Sequence, residues 1–327
     1  MTRLKHIRTA AELASLTPAP ELAGWDANAL EHHRPDAHWV LFDRNTVLAR
    51  CSLWWRTVPP LPDERPGVIG HYGAADAESG RTLLEHVCNA LADQGCTVAI
   101  GPMDGNTWRS FRFVSERGDE TPFFMEPWHP PEWPRHWQAA GFDTLARYRS
   151  GLNPDLTHAD PHLPALDAKL TAAGYRLRTL RLDDFDTELG RIHRLSLSSF
   201  RDNFLYDAMP AEDFLALYRP LRARINPELV LLAERDDELC GFVFALPDLL
   251  RSQQDTVIVK TLAVHPEQGG NGLGGWLTAK VQQRAGELGY RRAVHALMVD
   301  ANRSRRISER YGEPMRRYVL LCRRLTS

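Results

Sequence analysis

The run Gly269-Gly270-Asn271-Gly272-Leu273-Gly274-Gly275 holds five glycines in seven residues. It follows a β-branched stretch at 256–264 and opens a helical pattern in which Leu273, Leu277, Val281 and Leu288 recur at spacings characteristic of one helix face. A strand, a glycine-rich turn and a helix N-terminus aim successive backbone N–H groups at one point, and the helix dipole favours an anion there. The chemistry this predicts is the holding of a phosphate. A tight turn alone needs fewer glycines, each of which costs conformational entropy on folding. A P-loop requires Gly-Lys-Ser/Thr, and Gly274-Gly275-Trp276 does not supply it. Gly270, Gly272 and Gly275 formally match a dinucleotide fingerprint. Residues 265–269 intervene between strand and fingerprint, however, and too little chain follows Asp300 to complete that fold.

A few titratable residues stand out near this turn. His295 interrupts the apolar run 293–299 in a strand expected to be central. An imidazole of ordinary pKa about 6.5 suits proton abstraction near neutrality, and a hydrogen-bonded core histidine is the equal alternative. Lys260 reads as an exposed strand-edge lysine. Arg303, Arg305, Arg306 and Arg310 form a basic cluster beside Asn302, by default a solvated helix face. No metal-ligand spacing is present.

The elements that position these residues occur twice. In the C-terminal half, strand 256–264, the glycine turn, a helix stopped by Gly289, strand 293–299, Asp300-Ala301-Asn302, a short basic helix and Arg317-Tyr318 follow in order. In the N-terminal half, strand 68–74, a helix carrying Leu83, Leu84, Val87, Cys88 and Leu91 and stopped by Gly95, strand 96–100, Asp104-Gly105-Asn106 and Arg147-Tyr148 repeat that order. The N-terminal copy carries an insertion, mostly the Pro/Trp-rich stretch 122–137, and has Asp76 and Glu78 where the other copy has its glycines. Asp76 and Glu78 are ordinary choices for a helix start, and they put negative charge where an anion would bind, so the helix dipole is already occupied. The expected organisation is a degenerate N-terminal domain at 1–152, a proline-bearing linker at 153–170 and a ligand-binding domain at 171–327. Eight of the nine tryptophans precede residue 150; of these, Trp54, Trp55, Trp128, Trp133 and Trp137 read as core and interface aromatics or as the wall of a ligand pocket.

Composition limits the partners. Forty Lys+Arg against 42 Asp+Glu give a net charge of -2, with no overall basic field for nucleic acid. No apolar run approaches the ~20 residues of a membrane span. Five cysteines without CxxC spacing fit free thiols in a cytoplasmic protein.

The segment Val264-His265-Pro266-Glu267-Gln268-Gly269-Gly270-Asn271-Gly272-Leu273-Gly274 resembles the acyl-CoA pyrophosphate loop of the GNAT superfamily of N-acyltransferases, and Asn302 and Gly312 downstream are similar to that family as well. The element order of the whole C-terminal half follows it, so that with the repeat the chain resembles a tandem GNAT protein. The resemblance implies an α/β (α+β) fold of two GNAT-like domains, each a mixed, mostly antiparallel sheet flanked by helices. It implies acetyl-CoA as acyl donor, no metal, and a small-molecule or peptide amine as acceptor, in a monomer or homodimer. It assigns Gln268, Gly269, Gly270, Asn271, Gly272, Leu273, Gly274, Gly275 and Asn302 to the cofactor, and the backbone of Leu262, Ala263 and Val264 to the thioester carbonyl and pantetheine arm. His295 is the expected general base. Aligned on Gly312, the family's frequent tyrosine acid falls on Ser308, with Tyr311 one turn further; the phenol is the better acid. Antibiotic acetyltransferases and thiol-cofactor synthases share the fold without naming the acceptor. The alternative function is a non-catalytic acyl-CoA-binding or regulatory module.

Overall fold

The computed structural model describes residues 2–300 and 303–326. In chain order the strands are β1 (Arg3–Ile7), β2 (Thr17–Pro18), β3 (Ala37–Asp43), β4 (Thr46–Trp54), β5 (Pro66–Ala74), β6 (Val98–Gly101), β7 (Phe113–Glu116), β8 (Asp143–Asn153), β9 (Arg176–Thr179), β10 (Val230–Arg235), β11 (Glu238–Pro247), β12 (Thr256–Val264), β13 (Arg292–Val299) and β14 (Glu313–Arg324). The helices are α1 (Ala10–Ala14), α2 (Ala29–His33), α3 (Ala77–Asp93), α4 (Trp133–Ala139), α5 (Leu163–Ala172), α6 (Phe185–Phe200), α7 (Ala211–Tyr218), α8 (Leu273–Glu287) and α9 (Arg303–Ser308). Asn302 lies outside the described residues, as do the side chains of Arg303 and Arg305.

The strands form one mixed, mostly antiparallel sheet flanked by helices, in the order β1-β3-β4-β5-β6-β14-β8-β13-β12-β11-β10-β9. Each half contributes one parallel pair to this path, β5 with β6 and β12 with β13. Helix α3 buries Leu83, Leu84, Val87, Cys88 and Leu91 against the N-terminal sheet, the stripe expected from their spacing. Its counterpart α8 buries Leu273, Leu277 and Val281; Leu288 is instead the exposed C-cap. Helix α6 covers the opposite face of β11 and β12. The end of the segment read as a linker is helix α5, which packs on α8. No helix among the described residues is long and apolar enough to cross a membrane.

The two closing strands trade places. β14 leaves the C-terminal half to pair with β6, and β8 leaves the N-terminal half to pair with β13. They also pair with each other, from Glu313 opposite Leu152 to Cys322 opposite Asp143. The halves therefore follow one another along the chain but interlock in space. Both strands carry the Arg-Tyr pair, and Tyr148 lies directly opposite Tyr318, so local pattern did not distinguish the two placements.

A buried polar network fixes this exchange. The Arg316 guanidinium, fully buried, donates from Nη1 to Glu126 Oε2 at 2.6 Å and from Nε to Arg117 O at 2.7 Å. Tyr318 OH donates to Glu126 Oε1, and Ser150 Oγ lies 3.0 Å from Tyr318 OH. Leu297 N donates to Ser150 Oγ at 3.1 Å. One chain of bonds thus runs from the N-terminal insertion through both exchanged strands to β13. Removing one partner of a buried ion pair strands the other charge, at a cost of about 3–5 kcal/mol. Glu126→Ala is expected to lower unfolding stability by about that amount in urea titrations; a change below about 1 kcal/mol would show the pair to be dispensable.

Candidate functional site

The parallel pairing of β12 with β13 stops at Val259 opposite His295. Beyond it the two strands diverge. Two irregularities mark the apex. On β12, Phe244 faces Thr261 and Ala245 faces Val259, so Lys260 is left over as a bulge. On β13, His295 faces Gly151 and Met298 faces Arg149, so Ala296 and Leu297 bulge, with Leu297 at φ 60°. The opening is a cleft of about 1300 Å³ that runs from the glycine turn to the N-terminal half. Gln268, Gly269, Gly270, Gly272, Leu273, Gly274 and Gly275 line one end, and Leu262, Ala263, Val264 and His295 the middle. Thr107, Trp108, Phe111, Arg112 and Tyr148 of the N-terminal half line the other end.

At the glycine end, Gly272 is the N-cap of α8 at φ 101°, a left-handed conformation that a side chain strains. Asn271 Oδ1 accepts from Leu273 N at 2.9 Å, whereas the N–H groups of Gly274 and Gly275 belong to the first turn, where a helix offers no internal acceptor. A Cβ on Gly275 would meet Arg310 Nη2 at 2.9 Å, so the guanidinium rests on the helix start. Arg306 lines the same end. Tyr175 orders the turn, donating to Gln268 Oε1 and accepting from Asn271 Nδ2 at 2.9 Å. Free N–H groups, a helix dipole and two arginines suit a diphosphate.

His295 lines the cleft but is almost fully buried, and desolvation pushes its imidazole down to about 4. Its Nε2 lies 3.2 Å from Gln282 Oε1, which also accepts from Asn153 Nδ2 at 2.9 Å. His295 therefore donates from Nε2 and keeps its lone pair on Nδ1. Neither acid candidate lines the cleft, although the Tyr311 ring packs edge-on against His295 with ring centres 5.6 Å apart. Ser308 is buried beneath Gly151. Tyr311 OH donates to Asp160 Oδ2 at 2.5 Å, and burial with that carboxylate pushes the phenol well above its ordinary range. Lys260, expected at an exposed edge, sits in the middle of the sheet and lines the cleft. Burial and the neighbouring Arg112 push its ammonium down to about 8. The expectation failed because strand order, not local polarity, decides which strands are edges.

The equivalent opening in the N-terminal half is filled by its own chain. Pairing of β5 with β6 stops at Val68 opposite Ile100, and Met103 N then donates to Ile69 O at 2.9 Å. Asp76 caps α3, accepting from Ser79 N at 2.8 Å, so a carboxylate occupies the place of an anion. Around this filled opening lies a histidine cluster that sequence reading missed. His38 Nδ1 lies 2.7 Å from Ser52 Oγ, Ser52 Oγ 2.8 Å from His71 Nδ1, and His71 Nε2 2.7 Å from His33 Nδ1. Strands β3, β4 and β5 bring together residues far apart in sequence, which a search for ligand spacing does not see. Donor atoms of His33, His71 and Asp104 lie within 4.8 Å of one another. The 2.7 Å between the two imidazole nitrogens is a hydrogen bond, closer than the roughly 3.3 Å implied by two ligands on one tetrahedral zinc. Arg50 also donates to His71 O at 2.8 Å, adding positive charge.

Residues 189–312 match the acetyltransferase (GNAT) family. Among solved structures, the whole chain superposes on a tandem GNAT protein from the clavulanic acid biosynthesis pathway with a TM-score of 0.56, at 14% identity and covering 99% of both chains. It also superposes on a GCN5-related N-acetyltransferase from Sphaerobacter thermophilus with a TM-score of 0.56, at 13% identity, covering 100% of this chain and 96% of that one. Protein YghO of Escherichia coli (strain K12) is 22% identical over 222 residues, 64% of this chain and 55% of the relative. The chain thus spans about half the length of that curated relative. Residues 189–312 thus match the GNAT family, and the whole chain shares the fold of a tandem GNAT protein.

Desolvation holds His33 at about 4, His38 at about 3, His71 at about 2 and His295 at about 4, so all four are neutral in the folded chain. Unfolded histidines titrate near 6.5. Between about 6.5 and 4 the unfolded chain binds more protons, and stability falls with pH. Asp104, raised to about 6 by burial, works the other way and offsets one of the four. The urea midpoint should therefore drop between pH 7 and pH 5; an equal or higher midpoint at pH 5 would contradict these assignments.

Proposed function

We propose that this chain is an N-acyltransferase that moves an acetyl group from acetyl-CoA to an amine of a small molecule or peptide, using one site in the C-terminal half. The observation that carries this reading is the continuous cleft from the α8 N-terminus to the divergence of β12 and β13. The glycine turn with Arg310 would hold the pyrophosphate. The backbone of Leu262, Ala263 and Val264 lies past the last β12–β13 pair, with Val264 O accepting from Ser199 Oγ at 3.1 Å; it would run beside the pantetheine arm and offer a hydrogen bond to the thioester carbonyl as it gains charge. His295 would accept the amine proton at Nδ1, directly or through a water. Ser308 and Tyr311 are not needed as acids: a thiol of pKa about 8.5 is a tolerable leaving group as the thiolate near neutral pH. The N-terminal half would contribute the acceptor wall rather than a second donor site.

Calorimetry with acetyl-CoA should give one site per chain. Gly272→Asp places a carboxylate at the anion site, and Arg310→Glu reverses an exposed charge without disturbing the core. Each should abolish binding, while two equal sites or unchanged binding in both variants would refute the assignment.

The catalytic part is tested by thiol release from acetyl-CoA across an amine panel. His295→Ala should lower the maximal rate by about 10²–10⁴-fold and leave acetyl-CoA affinity unchanged. Binding without release for any amine would favour the non-catalytic acyl-CoA-binding module instead.

A further inference from the structure

Lys260 and Arg112, one from each half of the chain, both line the cleft. Lys260 is the bulged residue of β12 immediately past the last β12–β13 pair. Arg112 comes from the N-terminal half and reaches the β13 bulge, donating from Nη1 to Leu297 O at 3.1 Å. Its guanidinium lies 3.7 Å from the ring centre of Phe111 and 4.1 Å from that of Tyr148. Arg112 is 7% exposed, and its Nε has no hydrogen-bond partner. Among the described residues neither cation has an ion pair. The carboxylate that lines the cleft, Asp202, is exposed and lies 3.6 Å from Arg201. Tyr206, also lining the cleft, buries a hydroxyl without a partner.

A buried Arg112 and a half-buried Lys260 that line one cleft without a counter-charge are unfavourable for folding, since each loses hydration and repels the other. The faces of Phe111 and Tyr148 and the Leu297 carbonyl offset part of this cost at Arg112, but none of them carries a negative charge. What would complete the arrangement is an anion supplied from the cleft. We infer that the acceptor is an amine that also carries a carboxylate, and that Lys260 and Arg112 bind this carboxylate at the acceptor end. This rests on the acyl-transfer reading of the cleft and adds to it the chemical class of the acceptor. The depressed ammonium of Lys260 fits, because a bound carboxylate restores the charge that burial disfavours.

The test pairs L-amino acids with their carboxamides, whose amines are alike and whose carboxyl charge is removed. Two measurements are made on the full chain, thiol release from acetyl-CoA and thermal shift without acetyl-CoA. The carboxylate forms are expected to be preferred by about 10- to 100-fold in kcat/KM, the worth of a hydrogen bond to a charged group. They should also raise Tm where the carboxamides do not. Lys260→Met should erase that preference chiefly through KM, and Lys260→Arg should retain it. Equal use of both forms overturns the inference, as does a Lys260→Met variant that slows both forms alike, since that would place Lys260 in a step common to all acceptors. Loss of acetyl-CoA binding with the carboxylate-specific shift intact would instead overturn the acyl-transfer reading and leave the anion site standing. Carboxylates that give no specific shift while acetyl-CoA binds would overturn the anion site alone.

Discussion

The pairing of β8 with β14 is the constraint on which the rest of this molecule depends. Each strand completes the sheet of the half it does not follow in sequence, so neither half has a finished core without the other. The consequence reaches the cleft directly. β13 is held on its outer side by β8, and its bulge at Leu297 is fixed by Ser150 of β8 and by Arg112 of the N-terminal half. A site whose loop lies entirely in the C-terminal half thus has its apex shaped by the N-terminal half.

The two halves show how little separates an open cleft from a filled one. Both keep the parallel pair that diverges after three or four residues. In one, the divergence is lined by Lys260 and a glycine-capped helix. In the other, Met103 closes the gap and Asp76 caps the helix through its own carboxylate. The filled half has not become inert packing: its former opening carries the hydrogen-bonded run through His38, Ser52, His71 and His33, and its loop at 107–112 has moved its side chains into the neighbouring cleft.

Much of this was legible locally. Five closely spaced glycines before a helical stripe marked the turn that starts α8 and lines the cleft, because backbone freedom and N–H direction are set within a few residues. The strands and helices of both halves followed from apolar periodicity and glycine stops. What local pattern could not carry was strand order. Lys260 looked like an edge residue only because the sheet's true edges, β1 and β9, were unknown. Tyr311 looked like an available acid because its partner, Asp160, sits in the proline-bearing segment far away in sequence. The histidine cluster needed the neighbour relations of β3, β4 and β5 before three scattered residues became one network.

The exchanged strands also bear on how the chain reaches its fold. Contacts between residues far apart in sequence form late, because a long loop must close before they contribute. During synthesis the N-terminal half emerges first, yet the strand that belongs beside β6 is β14. Until β14 arrives, β6 presents an open edge, and β8 can neither pair on that side nor settle against a β13 not yet made. Both halves therefore wait on β14 to close, and until it pairs the chain carries unpaired edges that a chaperone would recognise.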